Sequence, residues 1–452
     1  MMRSMYSGVS GLRVHQTKMD VISNNISNIN TIGFKRNTVS FKDSFSQTLS
    51  SASGANADKG GTNPQQVGMG ANVGAIATIM GQGAAQRTDN GNDLLIDGDG
   101  FFIVQDATGF SFTRAGAFEV DAAGNLVDAN GFKVCGWQAV DDPDNPGQQK
   151  VIKERVTPIN IYQGDNLFSP AKATSEVEFS GNFNAATNPE QKNTISFYDS
   201  QGNKYTLDVL FKKTDTNKWE VSIPVEGPSN PAKPTDGKVA VMVNGEKMYM
   251  DPPTLGGKTT IEFDETGTVK SDPANLPNFT ITGFNVDSIT TDGTTNAGLG
   301  GKVNDEIKVD YSTVTQFNSK VTVTSNMKDG NTAGNMTGYS IDGNGLIRGV
   351  YSNGDTKILA QIPLANFTNP AGLEKVGNNL YKETNNSSEF DGIGSEISAL
   401  GSTLQSGALE MSNVDLSYEF SEMITTQRGF QANSRIITTS DEMIQELVNL
   451  KR

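Results

Sequence analysis

The sequence contains a single cysteine and a single histidine in 452 residues. A lone Cys135 excludes an internal disulfide, and zinc centres assembled from several Cys and His side chains are excluded with it. No stretch approaches the roughly 18 consecutive apolar residues of a membrane-spanning helix. The nearest candidate, Val73 to Met80, is interrupted by Gly74 and Thr78. Positive charge is also scarce, with 36 Lys and Arg against 51 Asp and Glu and a net charge of −15. Nucleic acid and anionic membranes are bound through clustered cations, so neither is expected as a partner. The opening, MMRSMYSGVSGLR, carries no continuous apolar segment and no small-residue cleavage site, so no secretory signal peptide is expected. There is no phosphate-cradling Gly-Lys-Ser/Thr loop, nucleophile elbow or His-rich site. Neither an enzyme nor a cofactor is expected.

What is present begins with a helical stripe. Met5, Val9, Leu12, Met19, Ile22, Ile26 and Ile29 recur at spacings of mostly three, four and seven, the narrow seam of a coiled coil rather than the broad face of a helix resting on its own core. The other faces are Ser, Thr, Asn and Gln. Gly8 and Gly11 weaken this helix by about 1 kcal/mol each relative to Ala, and Gly33 is placed as its C-terminal stop. A helix of this kind over residues 1–35 needs a partner helix.

The middle of the chain reads as β structure. Residues 36–70 are rich in Ser, Gly, Ala, Asn and Gln and predict a linker or arm. Strand patterns then run through 71–145, resume after the acidic, Pro-containing boundary 141–147 as an inserted β domain over 146–315, and continue as a second part of the first domain over 316–381. An apolar residue followed by Asp and, three residues later, Gly recurs at Ile96-Asp97, Val120-Asp121, Tyr198-Asp199 and Phe263-Asp264, with Ile341-Asp342 close to it. Asp accepts from turn amides and Gly takes positive φ, so each predicts a hairpin turn. For Asp97-Gly98-Asp99-Gly100 that reading outweighs a calcium loop, because the spacing and distal Glu of an EF-hand are missing. Cys135 is expected to be a small buried apolar residue near Trp137.

A second polar stretch, 382–407, predicts another linker, and 408–452 predicts the strongest helix. Ser412 and Asp415 suggest a capping arrangement, and Lys451 and Arg452 suit its last turn. Its seam is Leu416, Phe420, Met423, Phe430, Ile437, Ile444 and Val448, with polar positions between them and Gly429 as a weak point. The expected fold is therefore α+β and mainly β. Two nested all-β domains are enclosed by N- and C-terminal helices that pair as a coiled coil.

Both ends carry long motifs. The run Asn24-Asn25-Ile26-Ser27-Asn28-Ile29-Asn30-Thr31-Ile32-Gly33-Phe34-Lys35, the run 407–416 (GALEMSNVDL) and the run 423–433 (MITTQRGFQAN) resemble the bacterial flagellar rod and hook axial family. Ile96 to Phe102 and Thr113-Arg114-Ala115-Gly116 are similar to that family's first β domain. The resemblance covers about half of the chain and marks Asn24, Asn25, Asn28, Thr31, Gly33, Phe34 and Lys35 as motif residues. It implies a helical homopolymer, with terminal helices lining a hollow core and β domains forming the shell. The extra β domain favours the hook branch, a curved flexible joint that passes motor torque to the filament, over the distal rod branch. A β-rich secreted adhesin is the alternative of another class. Implied partners are the distal rod, the hook cap, the hook–filament junction proteins and the flagellar type III export apparatus. That apparatus would deliver the subunit outside the cell without a cleaved signal. Phe41 and Phe45 resemble the short aromatic element expected to engage the export gate.

Overall fold

The computed structural model describes residues 2–54, 59–106, 109–141, 149–186, 190–225, 227, 237–270, 277–291 and 297–450. Helix α1 (Met2–Ser27) ends earlier than the expected Lys35. The side chains of the following turn compete for the helical backbone: Asn28 Nδ2 donates to the Asn24 carbonyl at 2.9 Å and Thr31 Oγ1 to Asn28 Oδ1 at 3.1 Å. Gly33, at φ +67°, turns the chain beyond it.

Residues 36–70 are not a structureless linker. Strand Asn37–Asp43 pairs antiparallel with Ala71–Thr78, and Ser46–Ser50 pairs with Gln65–Gly68. The result is a two-stranded arm, and Ala71–Thr78 belongs to it rather than to the first β domain. The small side chains carry little core signal, but ladder pairing needs only backbone groups.

The first β domain is one composite 14-stranded sheet folded around two apolar clusters. Strand Lys133–Asp141 pairs with Phe101–Asp106, Thr356–Gln361 and Gln149–Val151, so the chain on either side of the insertion is knit together. The inserted domain stacks a five-stranded on a six-stranded sheet around Phe179, Phe183, Phe197, Tyr205, Phe211 and Trp219. Its boundaries correct the expected 146–315. Gln149–Val151, Thr157–Pro158 and Phe168–Ser169 all pair within the first domain, whereas Glu306–Phe317 and Thr324–Met327 flank Glu176–Asn184 in the inserted one. Asp141 pairs with Gln149 across the acidic stretch, which joins two strands of one sheet rather than two domains. Its residues 142–147 lie outside the described residues, as do Lys451 and Arg452.

The Asp–Gly turns form at Asp121, Asp199, Asp264 and Asp342, where Oδ1 accepts two backbone N–H groups at 2.7–2.9 Å. Asp97–Gly100 differs, because Leu94–Asp97 pairs with Thr403–Ser406 instead of its sequence neighbour. The segment 382–407 is thereby part of the first β domain; Ile397, Leu400 and Leu404 pack into one cluster of its core and Phe390 against the other. Residues 408–415 are likewise not helical. Ala408–Glu410 pairs with Ala85–Arg87, and helix α2 (Leu416–Asn449) is capped by Asp415, not Ser412, through bonds to the Ser417 and Tyr418 amides. Cys135 is fully buried in the cluster that holds Trp137, and burial pushes its thiol up to about 12.

Candidate assembly seam and buried joint

Helices α1 and α2 lie antiparallel. Ser4 meets Ser440, Lys18 forms an ion pair with Glu422, and Arg36 lies 3.7 Å from Glu419. Between these contacts three glycines face the partner helix with no room for a side chain. A Cβ on Gly8 would lie 3.2 Å from Ile437, on Gly11 2.7 Å from the Asn433 amide, and on Gly429 2.7 Å from the His15 ring. Small residues let two backbones draw together, which is why residues that weaken each helix in isolation occupy the contact line of the pair. His15 also stands edge-on to Phe41, with ring centroids 5.8 Å apart. Burial, then the Lys18 ammonium, lower its pKa below the ordinary value.

The apolar stripe seen in the sequence is only partly inside this pair. Ile22 is buried, Met5, Leu12, Met19, Ile26 and Ile29 are half-buried, and Val9 is exposed. On α2, Met423, Ile437 and Ile444 are half-buried, while Leu416, Phe420, Phe430 and Val448 are exposed. The buried positions of α2 are Glu419, Thr426 and Ser440, and Val14 of α1 is buried as well. Sequence reasoning missed these. The signal was there in the small residues Ser4, Gly8 and Gly11, and Gly429 and Asn433, at spacings of three and four.

Three sequence motifs converge on one buried joint. Lys35 Nζ lies 2.6 Å from Glu410 Oε1 and donates to the Gly81 carbonyl at 2.9 Å. Gly83 N–H donates to the same Oε1 at 2.9 Å, and Arg114 Nη1 is 3.5 Å from Oε2. Lys35, Arg114 and Glu410 are all nearly inaccessible to solvent. Burial lowers the Lys35 and Arg114 pKa values, and the Glu410 carboxylate opposes both shifts. Burial, followed by the charge of Glu410, raises the neighbouring Tyr381 to about 12. Backbone contacts complete the joint. Gly33 N–H donates to the Glu410 carbonyl at 2.8 Å, and a Cβ on Gly33 would meet the Ala115 nitrogen at 2.8 Å.

The remaining motif residues tie the arm and the first domain to this centre. Asn25, 1% exposed, exchanges two bonds with Asn37, donating to its carbonyl and accepting from its N–H. Asn413 accepts from the Arg36 N–H and donates to the carbonyls of Ile79 and Gly81. Lys375 stands 4.8 Å over the Phe34 ring and donates to the Lys35 carbonyl. Asn24 is exposed, and Asn28 and Thr31 bond only within their own turn. Phe41 leans on His15 and Lys18, whereas Phe45 is 76% exposed on the arm. Among the described residues, no group of His, Cys, Asp and Glu is placed to hold a metal, and no helix is long and apolar enough to cross a membrane.

Comparison with known proteins matches these parts in the same order. Family models described as flagella basal body rod protein, flagellar hook protein FlgE/F/G D1 domain, flagellar basal body protein FlaE D2 domain and flagellar basal body rod FlgEFG protein C-terminal match residues 5–35, 95–169, 166–331 and 405–450. The flagellar hook protein FlgE of Borreliella burgdorferi is 40% identical over 484 residues, with all of both chains covered. The chain belongs to the flagellar hook protein FlgE family. FlgE of Treponema pallidum is 36% identical over 474 residues, again with full coverage of both chains. The flagellar basal-body rod protein FlgG of Bacillus subtilis is 30% identical over 452 residues and also matches end to end. The identity to these two FlgE proteins, 40% and 36%, exceeds the 30% to this FlgG. As a FlgE-family member the chain is a structural subunit of the flagellar hook, a part of the bacterial flagellum outside the cell.

Proposed function

We propose that this subunit polymerises into a curved hollow tube, with α1 and α2 facing the channel and the β domains forming a shell that bends while transmitting torque. The observation that carries the reading is the division of labour within the helix pair. The contact line between the helices runs through Ser4, Gly8, Gly11, Gly429, Asn433 and Ser440 beside Ile437, whereas Tyr6, Val9, Phe420, Ile424, Phe430 and Ile436 stay exposed. A stable monomer rarely leaves so many large apolar side chains open on one pair of helices. Surfaces of this kind are covered by neighbouring copies, so helix order and assembly are coupled by mass action. Along the assembled structure the distal rod, hook cap and hook–filament junction proteins are its neighbours at the ends. Its work is mechanical, not catalytic.

Removing residues 1–35 is expected to abolish tube formation while both β domains still melt cooperatively. Electron microscopy of the truncated and full chains under polymerising conditions decides this, and tubes formed by the truncated chain would sink the proposal. Export through the flagellar type III apparatus, without a cleaved signal, is part of the same reading, with Phe41 and Phe45 as the element presented to the gate. The double substitution Phe41→Ala, Phe45→Ala is expected to lower secretion at least several-fold. Normal secretion of that variant would remove the assignment.

A further inference from the structure

The one histidine of the chain sits on the contact line of the helix pair. Its ring is held from three sides. On α2 the Gly429 backbone comes so near that an added Cβ would stand 2.7 Å from Cε1 and 2.8 Å from Nε2 of His15. On the arm, Phe41 meets the ring edge-on. On α1 itself, Lys18 follows one turn along, and its ammonium stands 5.8 Å over the same Phe41 ring.

Little in this setting can receive a positive charge. Among the described residues, His15 Nδ1 and Thr426 Oγ1 are buried without a hydrogen-bond partner. The acid on the facing turn of α2, Glu422, is engaged by Lys18, and Glu419 before it faces Arg36. Arg428 beside Gly429, and Lys42 and Asp43 beside Phe41, are exposed, where salt and water screen them. The arm strand Ala71–Thr78 has no titratable side chain. The neighbouring charge that acts on the ring is the Lys18 ammonium, which repels a second cation.

We propose that His15 makes closure of the helix pair proton-sensitive: the pair closes around the neutral ring and is loosened when the ring takes up a proton, so that an acid medium opposes assembly. This rests on the polymer reading above and adds a condition under which the polymer forms. Protonation turns both ring nitrogens into donors and sets a second cation beside Lys18 on the line where the two backbones meet. In unpaired helices His15 titrates near the ordinary imidazole value of about 6.5. In the pair, burial and then Lys18 hold it lower. The stabilisation is therefore fully present above about pH 6.5, and it is lost as the pH falls from there through the lowered value. Because the hook lies outside the cell, the pH that counts is that of the surrounding medium.

The test compares the critical concentration for tube formation at pH 7.5 and pH 5.5, for the wild type and for His15→Gln, whose amide does not titrate. The wild-type value is expected to rise about threefold to tenfold at the lower pH, the span that one proton per subunit allows. The His15→Gln value is expected to stay level. A wild-type value independent of pH, or the same rise in His15→Gln, would overturn the proposal and leave the polymer intact. If the wild type forms no tubes at either pH, the polymer reading itself fails. A second measurement does not depend on the variant assembling. Wild-type chain labelled with carbon-13 at His15 Cε1 gives a single histidine signal, followed through pH in dissociated subunits and, by solid-state NMR, in tubes. The midpoint is expected to be lower in tubes, and an equal or higher midpoint there would also overturn the proposal.

Discussion

Replacing Glu410 with alanine is expected to detach the terminal helices from the first β domain. Glu410 is fully buried, holds Lys35 Nζ at 2.6 Å, accepts from Gly83 N–H, and is the acid 3.5 Å from Arg114. Removing one partner of a buried ion pair costs about 3–5 kcal/mol, because the opposite charge is stranded without water. Here two cations are stranded. The gain from a single surface ion pair, about 0–1 kcal/mol, cannot offset this. The β cores are untouched by the change, so the loss should appear at the joint. Limited proteolysis is expected to cut between Gly33 and the arm in the variant and not in the parent, with the tubes lost. The triple change Lys35→Met, Glu410→Leu, Arg114→Met removes the stranded charges together and should recover part of the protection. Recovery stays partial because Gly83 N–H still lacks its acceptor. If Glu410→Ala alone left the proteolytic pattern and the tubes unchanged, the joint would have no role in coupling helices to domain.

The second large effect is expected from Gly429→Leu. A leucine is a better helix former than glycine, so α2 in isolation should gain up to about 1 kcal/mol. In the pair the sign reverses. Even the first added carbon would stand 2.7 Å from the His15 ring, and Phe41 behind that ring limits its retreat. Overpacking of this kind costs about 1–3 kcal/mol, and the helices must move apart to relieve it. Circular dichroism should show an unchanged or slightly higher helical tendency in the isolated C-terminal peptide. The full chain should lose tube assembly. Wild-type assembly by the Gly429→Leu chain would mean that the glycine line is not the contact line.

How much of this was legible in the sequence depends on which physical signal each element carries. The helices and their mutual need were readable from stripes at three- and four-residue spacing, and the turns at Asp121, Asp199, Asp264 and Asp342 from local hydrogen-bond chemistry. What failed were features defined by distant partners. The strand Leu94–Asp97 pairs more than three hundred residues away, with Thr403–Ser406. The polar segments 36–70 and 382–407 resemble linkers because ladder bonds use backbone groups that composition does not report. Motif residues Lys35 and Glu410 were visible as motifs, but nothing local says that they meet.

The seam shows a different kind of misreading. In the sequence the apolar stripes read as the contact between the two helices, and the glycines read as defects. Propensity measures a helix in water, and close packing inverts that ranking wherever two backbones approach. Leu416, Phe420, Phe430 and Val448 stand out in the sequence as unsatisfied within one helix, and the structure leaves them exposed. They remain unsatisfied within one chain.

The inserted domain is reached through two chain crossings that lie side by side. Phe168 and Ser169 on the way out pair with Asn335 and Gly334 on the way back, and Lys172 bridges Asn331. A pull on that outer domain is therefore divided between two covalent strands loaded in parallel, and the rungs between them run across the load instead of along it. A single backbone cut in either strand still leaves the domain on its leash.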